Sequence, residues 1–276
     1  MTVAGDWLVH PLVRGLHTDD PAAIRARREL IRRRPFLRRV YNEWYDLIER
    51  ALPSGEGAVV ELGSGCGFLE ERLPGLITSD LSFQAPVRLA FDAHVMPFAD
   101  RSLRAIVMTN VLHHLPDVRR FFREAGRCVR PGGRLLLVEP WVSTLSAGVY
   151  GRVHHEPYVP MATTWEFPAG GPLSAANIAM PWMVFARDRA QFHREFPEWR
   201  VVQVTPAMPL RYFLSGGVSS RLAMPAWTFP VWTWLDHLLV RWPEWWASFA
   251  YVVVERTDQS DAGDHAVQRN EERTRA

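Results

Sequence analysis

Residues 58–73 read Ala58-Val59-Val60-Glu61-Leu62-Gly63-Ser64-Gly65-Cys66-Gly67-Phe68-Leu69-Glu70-Glu71-Arg72-Leu73. An apolar β-branched run, glycines at 63, 65 and 67, and a helical pattern from Phe68 predict a buried strand turning tightly into a helix. The backbone of such a turn is open to close approach by a ligand. Leu76-Ile77-Thr78 predicts a second strand ending at Ser79-Asp80, which sets a carboxylate beside the turn, placed to accept from ribose hydroxyls. A dinucleotide fingerprint would carry a third glycine at position 68; Phe68 stands there and argues against NAD.

Further along, residues 87–91 predict a third strand ending at Asp92-Ala93-His94, followed by Met96-Pro97-Phe98. Residues 103–109 predict a fourth, with residues 110–117 as the loop on its ligand side and residues 118–129 as an amphipathic helix. Pro131-Gly132-Gly133 ends that helix, and residues 134–139 predict a fifth strand. From Val59 to Pro140 this succession resembles the class I S-adenosylmethionine-dependent methyltransferases of the type 11 kind. The resemblance implies an α/β fold: a doubly wound, Rossmann-like, seven-stranded sheet whose last strand is antiparallel, with the ligand at its carboxyl edge. It also implies S-adenosyl-L-methionine as the cofactor. Glu61 would meet its methionine part, Gly63, Gly65 and Gly67 would admit it, and Asp80 would hold the ribose. Asp92 would take the adenine amino group, with Ala93 and Asn110 completing the set.

Composition narrows the class. A chain of 276 residues and 31.6 kDa suits one large domain with insertions. All 32 Lys+Arg residues are arginine, so a catalytic lysine is excluded, and a net charge of +2 is too mild to imply nucleic acid. Cys66 and Cys128 provide neither a disulfide framework nor a metal spacing; a cytoplasmic location and no bound metal are expected. The start of the chain lacks the basic-then-apolar order of a signal peptide. The longest uncharged stretch, residues 167–186, is broken by Pro168, Pro172 and Pro181, so no membrane-spanning segment is expected.

The expected organisation is a helical N-terminal extension (1–55), a methyltransferase domain (56–255) and a disordered tail (256–276). Two cap insertions, at about 142–185 and 206–248, interrupt the domain. Arginines from Arg25 to Arg39 form either a solvated helix face or an attraction for phosphate groups. The second insertion carries Trp227, Phe229, Trp232, Trp234, Trp242, Trp245 and Trp246, split by Pro225, Pro230 and Pro243 into short helices. Residues 224–246 are read as a cap over the site, and either as an apolar filling or as peripheral membrane contact, since indole suits places apolar at one end and wet at the other.

In-line methyl transfer needs alignment and, where the acceptor loses a proton, a base. His113 and His114, at the tip of the fourth strand, are the first candidates, although histidine there equally suits capping of the next helix. His154, His155 and Glu156 in the first insertion are the second; adjacent side chains diverge, so they do not predict a metal site. The loop Thr109-Asn110-Val111-Leu112 lacks the Asn/Asp-Pro-Pro-aromatic motif of base-methylating relatives, and neither cysteine has the context of the cytosine enzymes. A nucleic-acid acceptor is therefore disfavoured. The expected function is methylation of a small-molecule or lipid-linked acceptor, at oxygen; the alternative is a cofactor-binding protein without turnover.

Overall fold

The computed structural model describes residues 8–17, 20–81, 87–152, 156–168, 170–171 and 175–258. Two helices precede the sheet. Asp20 accepts from the Ala22 amide at 2.7 Å and Pro21, with no amide to leave unpaired, opens α1 (Pro21–Arg33); Pro35 opens α2 (Pro35–Ala51) likewise. α2 buries Phe36, Leu37, Val40, Tyr41, Trp44, Tyr45 and Ile48, a stripe at helical spacing that seats it on one face of the sheet. Several arginines of this region are engaged within the protein. Arg28 pairs with Glu70, Arg33 with Glu29 at 2.7 Å and Arg38 with Glu71 at 3.2 Å, while Arg34 donates to the carbonyls of Gly217 and Ser220.

The strands are β1 (Ala58–Leu62), β2 (Ile77–Asp80), β3 (Leu89–Ala90), β4 (Leu103–Thr109), β5 (Val129–Pro140), β6 (Trp199–Ala207) and β7 (Phe249–Arg256), in the spatial order β3-β2-β1-β4-β5-β7-β6. β7 lies antiparallel between β5 and β6, and the remaining pairs are parallel. Along β4, Ala105 and Val107 join the core beneath α2, whereas Ile106 and Met108 join the opposite core with Phe121 and Phe122 of α3 (Val118–Cys128). Both faces are covered, which is why the central strands read as unbroken apolar runs instead of alternating ones. The seven-stranded sheet and the placement of its antiparallel last strand agree with the expectation.

Several local expectations change. The segment after the glycine turn forms only a 3-10 turn, Leu69–Glu71, because Pro74 bars continuation and Gly75, at φ +84°, swings the chain into β2. β3 shrinks to two residues because its partner β2 ends at Asp80, leaving only the pairs Ser79–Leu89 and Asp80–Ala90. The first insertion is more helical than its composition suggested. It contains α4 (Thr144–Tyr150), opened by a Ser143 capping box, and α5 (Met180–Trp182), which runs on through a π turn (Met183–Arg187) to α6 (Arg189–Glu195). After α4, helical structure resumes at Met180, where Pro181 sits in a first turn and no amide is missed.

The second insertion forms α7 (Arg211–Leu214), α8 (Phe229–Leu239) and α9 (Pro243–Trp246), with Pro230 and Pro243 in first turns as the broken pattern predicted. A buried pair, Arg211 with Asp236 at 2.7 Å, and a second bond from Arg211 to Glu43 at 2.6 Å tie it to α2. Phe229 packs edge-on against Phe36 with ring centres 4.9 Å apart. Among the described residues no helix is long and apolar enough to cross a membrane. Residues 259–276 lie outside the described residues, so the expected tail receives no structural account.

Candidate active site

The chain leaves β1 toward β2 on one side and leaves β4 toward β5 on the other, so a crevice opens where the carboxyl ends of β1 and β4 lie side by side. The two loops there touch. A Cβ on Gly63, which has φ +60°, would fall 2.6 Å from a Val111 methyl, so only glycine fits this position on both conformational and steric grounds. The turn is bolted in place from two directions. The Ser64 amide donates to the Ser79 carbonyl at 2.8 Å, and the Phe68 amide donates to the Tyr45 hydroxyl of α2 at 3.0 Å.

A cavity of about 730 Å³ occupies this crevice. Glu61, Gly63, Gly65, Gly67, Asp80, Asp92, Ala93, Asn110, His113 and His114, all singled out in the sequence, line it. Glu61 is 2 % exposed, its Oε2 has no hydrogen-bond partner, and burial pushes its pKa up to about 8. An orphaned, buried carboxylate oxygen on a cavity wall is costly unless a donor, best a cationic one, arrives from the cavity. Asp80 accepts from the Gly65 amide at 3.1 Å and the Leu81 amide at 2.7 Å; burial raises its pKa in spite of these bonds. Burial pushes Asp92 the same way, but the His94 amide, at 2.8 Å, and the His94 ring outweigh it and hold the carboxyl below its usual range. Asn110 takes a positive φ of +58°, which asparagine tolerates better than most residues, and so turns the chain out of β4.

A second group of polar side chains lies against the loop after β4. Glu139, at the end of β5 and fully buried, accepts from the Val111 and Leu112 amides at 2.8 Å each through one oxygen. Its other oxygen holds His113 Nδ1 at 2.7 Å. His113 Nε2 faces Glu156 Oε2 at 3.6 Å, and His114 Nε2 faces Glu156 Oε1 at 3.9 Å. Burial would lower the His113 pKa, but the two carboxylates outweigh it and push it up to about 9. Tyr150, Tyr212 and Phe213 line the same cavity. His154 and His155 lie outside the described residues, whereas their neighbour Glu156 is placed against the other histidine pair.

Three contributors were not singled out from sequence. Glu139 is one. Arg27 of α1 is another: it lines the cavity, and its Nε is buried with no hydrogen-bond partner. The third is residues 212–213 with residues 216–220, which are the part of the second insertion that lines the cavity; no residue of the tryptophan-bearing stretch 224–246 does so, which corrects the expectation that this stretch caps the site. The reason is visible in the packing: Phe229 and its helix are drawn onto α2 by Phe36 and by the Arg211 pairs.

Comparison with known proteins follows the same lines. Residues 76–137 match a family described as a methyltransferase domain. Among curated proteins, 27-O-demethylrifamycin SV methyltransferase of Amycolatopsis mediterranei is 39 % identical over 64 residues, covering 21 % of this chain and 24 % of the relative. Demethylmenaquinone methyltransferase of Mycolicibacterium paratuberculosis is 33 % identical over 82 residues, covering 30 % of this chain and 34 % of the relative. The match thus spans about a quarter to a third of these relatives' length. Among solved structures, a Haloferax volcanii methyltransferase in complex with its activator superposes with a TM-score of 0.51 at 15 % identity, covering 87 % of this chain and 98 % of that one. Geranyl diphosphate C-methyltransferase of Streptomyces coelicolor gives 0.50 at 13 %, covering 91 % and 90 %. At these identities the superpositions establish the fold.

Proposed function

We infer that this chain, whose residues 76–137 belong to the methyltransferase domain family and whose sheet is that of the class I S-adenosylmethionine-dependent methyltransferases, transfers a methyl group to an oxygen of a small-molecule or amphiphilic acceptor. The observation that carries the reading is the orphaned Glu61 Oε2 beside the glycine turn, in one cavity with Asp80 and Asp92. S-Adenosyl-L-methionine, when bound, supplies a methyl group on a sulfonium. Its parts match the wall: a cationic amine for Glu61, a carboxylate for Arg27, ribose hydroxyls for Asp80 and an adenine amino group for Asp92. Gly63 and Gly67 keep the wall thin, since a Cβ at either would strike Val111 or the Tyr45 hydroxyl.

The acceptor is assigned to the His113, His114 and Glu156 end. There polar groups sit among Tyr150, Tyr212 and Phe213, so an apolar molecule with a hydroxyl finds both a greasy wall and acceptors for its proton. Glu139 fixes His113 by its Nδ1 side and leaves Nε2 toward Glu156. An amphiphilic acceptor is favoured by the surface as well. Trp227, Val231, Trp234, Trp242 and Trp245 are all more than half exposed, and a patch of that kind suits the interfacial zone of a bilayer. The test is calorimetry with S-adenosyl-L-methionine, followed by methyl-release assays across hydroxylated acceptors, free and vesicle-borne. Absence of cofactor binding would overturn the reading; binding without release from any acceptor class would favour a cofactor-binding protein instead.

A further inference from the structure

The two imidazoles at the acceptor end are held the same way round. His113 Nδ1 lies 2.7 Å from Glu139 Oε2, and His114 Nδ1 lies 3.1 Å from the Ala175 carbonyl oxygen. Both partners accept, so each Nδ1 carries a proton and donates, and Nε2 is the nitrogen that each ring turns toward Glu156; an ion bound there takes the place of any proton on it. Both Nε2 atoms turn toward one carboxylate, Glu156, at 3.6 and 3.9 Å. These separations are too long for hydrogen bonds, which for nitrogen and oxygen end at roughly 3.2 Å. They suit donors arranged about a shared cation. Ligand atoms each about 2.1 Å from one ion stand roughly 3.0–3.4 Å apart in octahedral and tetrahedral arrangements. The three donor atoms here all lie within 4.8 Å of one another, so closing in by about 1.4 Å completes a tetrahedral set.

The surroundings are those of a metal centre. Glu139 behind His113 reproduces the carboxylate–histidine–metal relay, and its second oxygen is tied down by two backbone amides, so it cannot swing away. The first insertion clamps the other side: the Asn177 amide donates to the His113 carbonyl at 2.9 Å, and Ala175 holds His114. Two carboxylates, one fully buried and the other largely so, flank the two imidazoles, a set of nitrogen and oxygen donors that suits a divalent cation.

We propose that His113 Nε2, His114 Nε2 and a carboxylate oxygen of Glu156 bind one divalent transition-metal ion at the acceptor end of the cavity. Two imidazoles and a carboxylate select Zn²⁺, Fe²⁺, Mn²⁺ or Co²⁺ over Mg²⁺ and Ca²⁺, which call for oxygen ligands throughout. Three protein ligands leave coordination positions open toward the cavity, where an acceptor oxygen is bound and made more acidic; this role, unlike the site itself, rests on the methyl-transfer reading.

The experiment uses the full chain without a histidine tag, stripped with chelator and titrated with Co²⁺ and with Zn²⁺. One saturable equivalent is expected, with visible absorption bands for Co²⁺. His114→Ala and Glu156→Gln, both at partly exposed positions, should each weaken metal binding on the order of tenfold or more, and Glu139→Gln by about 10–100-fold, as a partner that orients a ligand. Calorimetry of S-adenosyl-L-methionine on the stripped protein and on each variant reports both folding and the cofactor reading. Wild type that takes up no stoichiometric metal overturns the proposal, as does metal binding unchanged in both His114→Ala and Glu156→Gln. Metal uptake at this cluster without cofactor binding would uphold the site and overturn the methyl-transfer reading alone.

Discussion

Glu61 makes cofactor binding a proton-release reaction. In the free protein burial lifts its pKa from 4.5 to about 8. At pH 7 a group of that pKa is about 0.9 protonated, whereas beside the cationic amine of S-adenosyl-L-methionine it ionises. The ligand's own α-amine, with a pKa near 8, takes up about 0.1 proton on being held as ammonium, so a net release of about 0.8 proton per cofactor is expected at pH 7. Affinity should accordingly rise close to tenfold per pH unit between about pH 5.5 and 7, reach a maximum near pH 8, and fall above it as the free cofactor's amine loses its proton. The sign for the free protein is opposite. A folded-state pKa raised above the unfolded value gives stability that is present below pH 4.5 and is lost as pH rises through about 8. Calorimetry at pH 7 in buffers of different ionisation enthalpy counts the protons directly. Glu61→Gln keeps the shape and should bring the count near zero. Release absent in wild type, or the same in Glu61→Gln, refutes the pairing of Glu61 with the amine.

Four further outcomes are expected. Arg27→Gln should weaken S-adenosyl-L-methionine by about 1.5–3 kcal/mol yet leave methylthioadenosine, which lacks the carboxylate, unaffected in the same titration. Asp80→Ala should weaken both ligands by a similar 1.5–3 kcal/mol, because both carry the ribose; equal affinity in wild type and variant counts against the ribose contact. Gly63→Ala should cost about 1–3 kcal/mol in a thermal or urea melt, and pairing it with Val111→Ala should recover the part due to the 2.6 Å clash but not the part due to φ +60°. In flotation with vesicles, Trp227→Ala/Trp234→Ala should release the protein while high salt should have little effect, since Arg28, Arg33, Arg34 and Arg38 are already bound to partners within the protein; salt-driven release would point to charge instead.

What the sequence made legible was local. The strand and glycine turn at 58–67 and the carboxylates at the strand ends announce themselves through periodicity and spacing, and they stand where that reading put them. What it hid was adjacency across the chain. Glu139 was read as the last residue of a strand, and only the pairing of β5 with β4 brings it to His113. Glu156 was grouped with His154 and His155 because they are neighbours in sequence, yet the histidines it meets are His113 and His114. Arg27 looked like one more member of an arginine-rich helix until α1 was seen to turn it toward the cavity. The tryptophans were legible as an aromatic excess, but the packing of Phe229 on Phe36 decides which of them are left outward.

The place of β7 in the sheet constrains the order in which the protein is made. β5 offers one edge to β4 as soon as both exist, but its other neighbour is separated from it by more than a hundred residues of chain, through both insertions. Until residues 249–256 emerge, the apolar run Leu135 to Val138 is an open edge, and β6, which pairs with β7 alone, has nothing to join. During synthesis the nascent chain therefore holds an unfinished sheet whose next-to-last strand in the spatial order is still awaited, the kind of species that recruits chaperones or other chains. Completion is a single late event: one strand slides between two waiting edges, and seating Phe249 and Tyr251 against α2 closes the core beneath that helix in the same step.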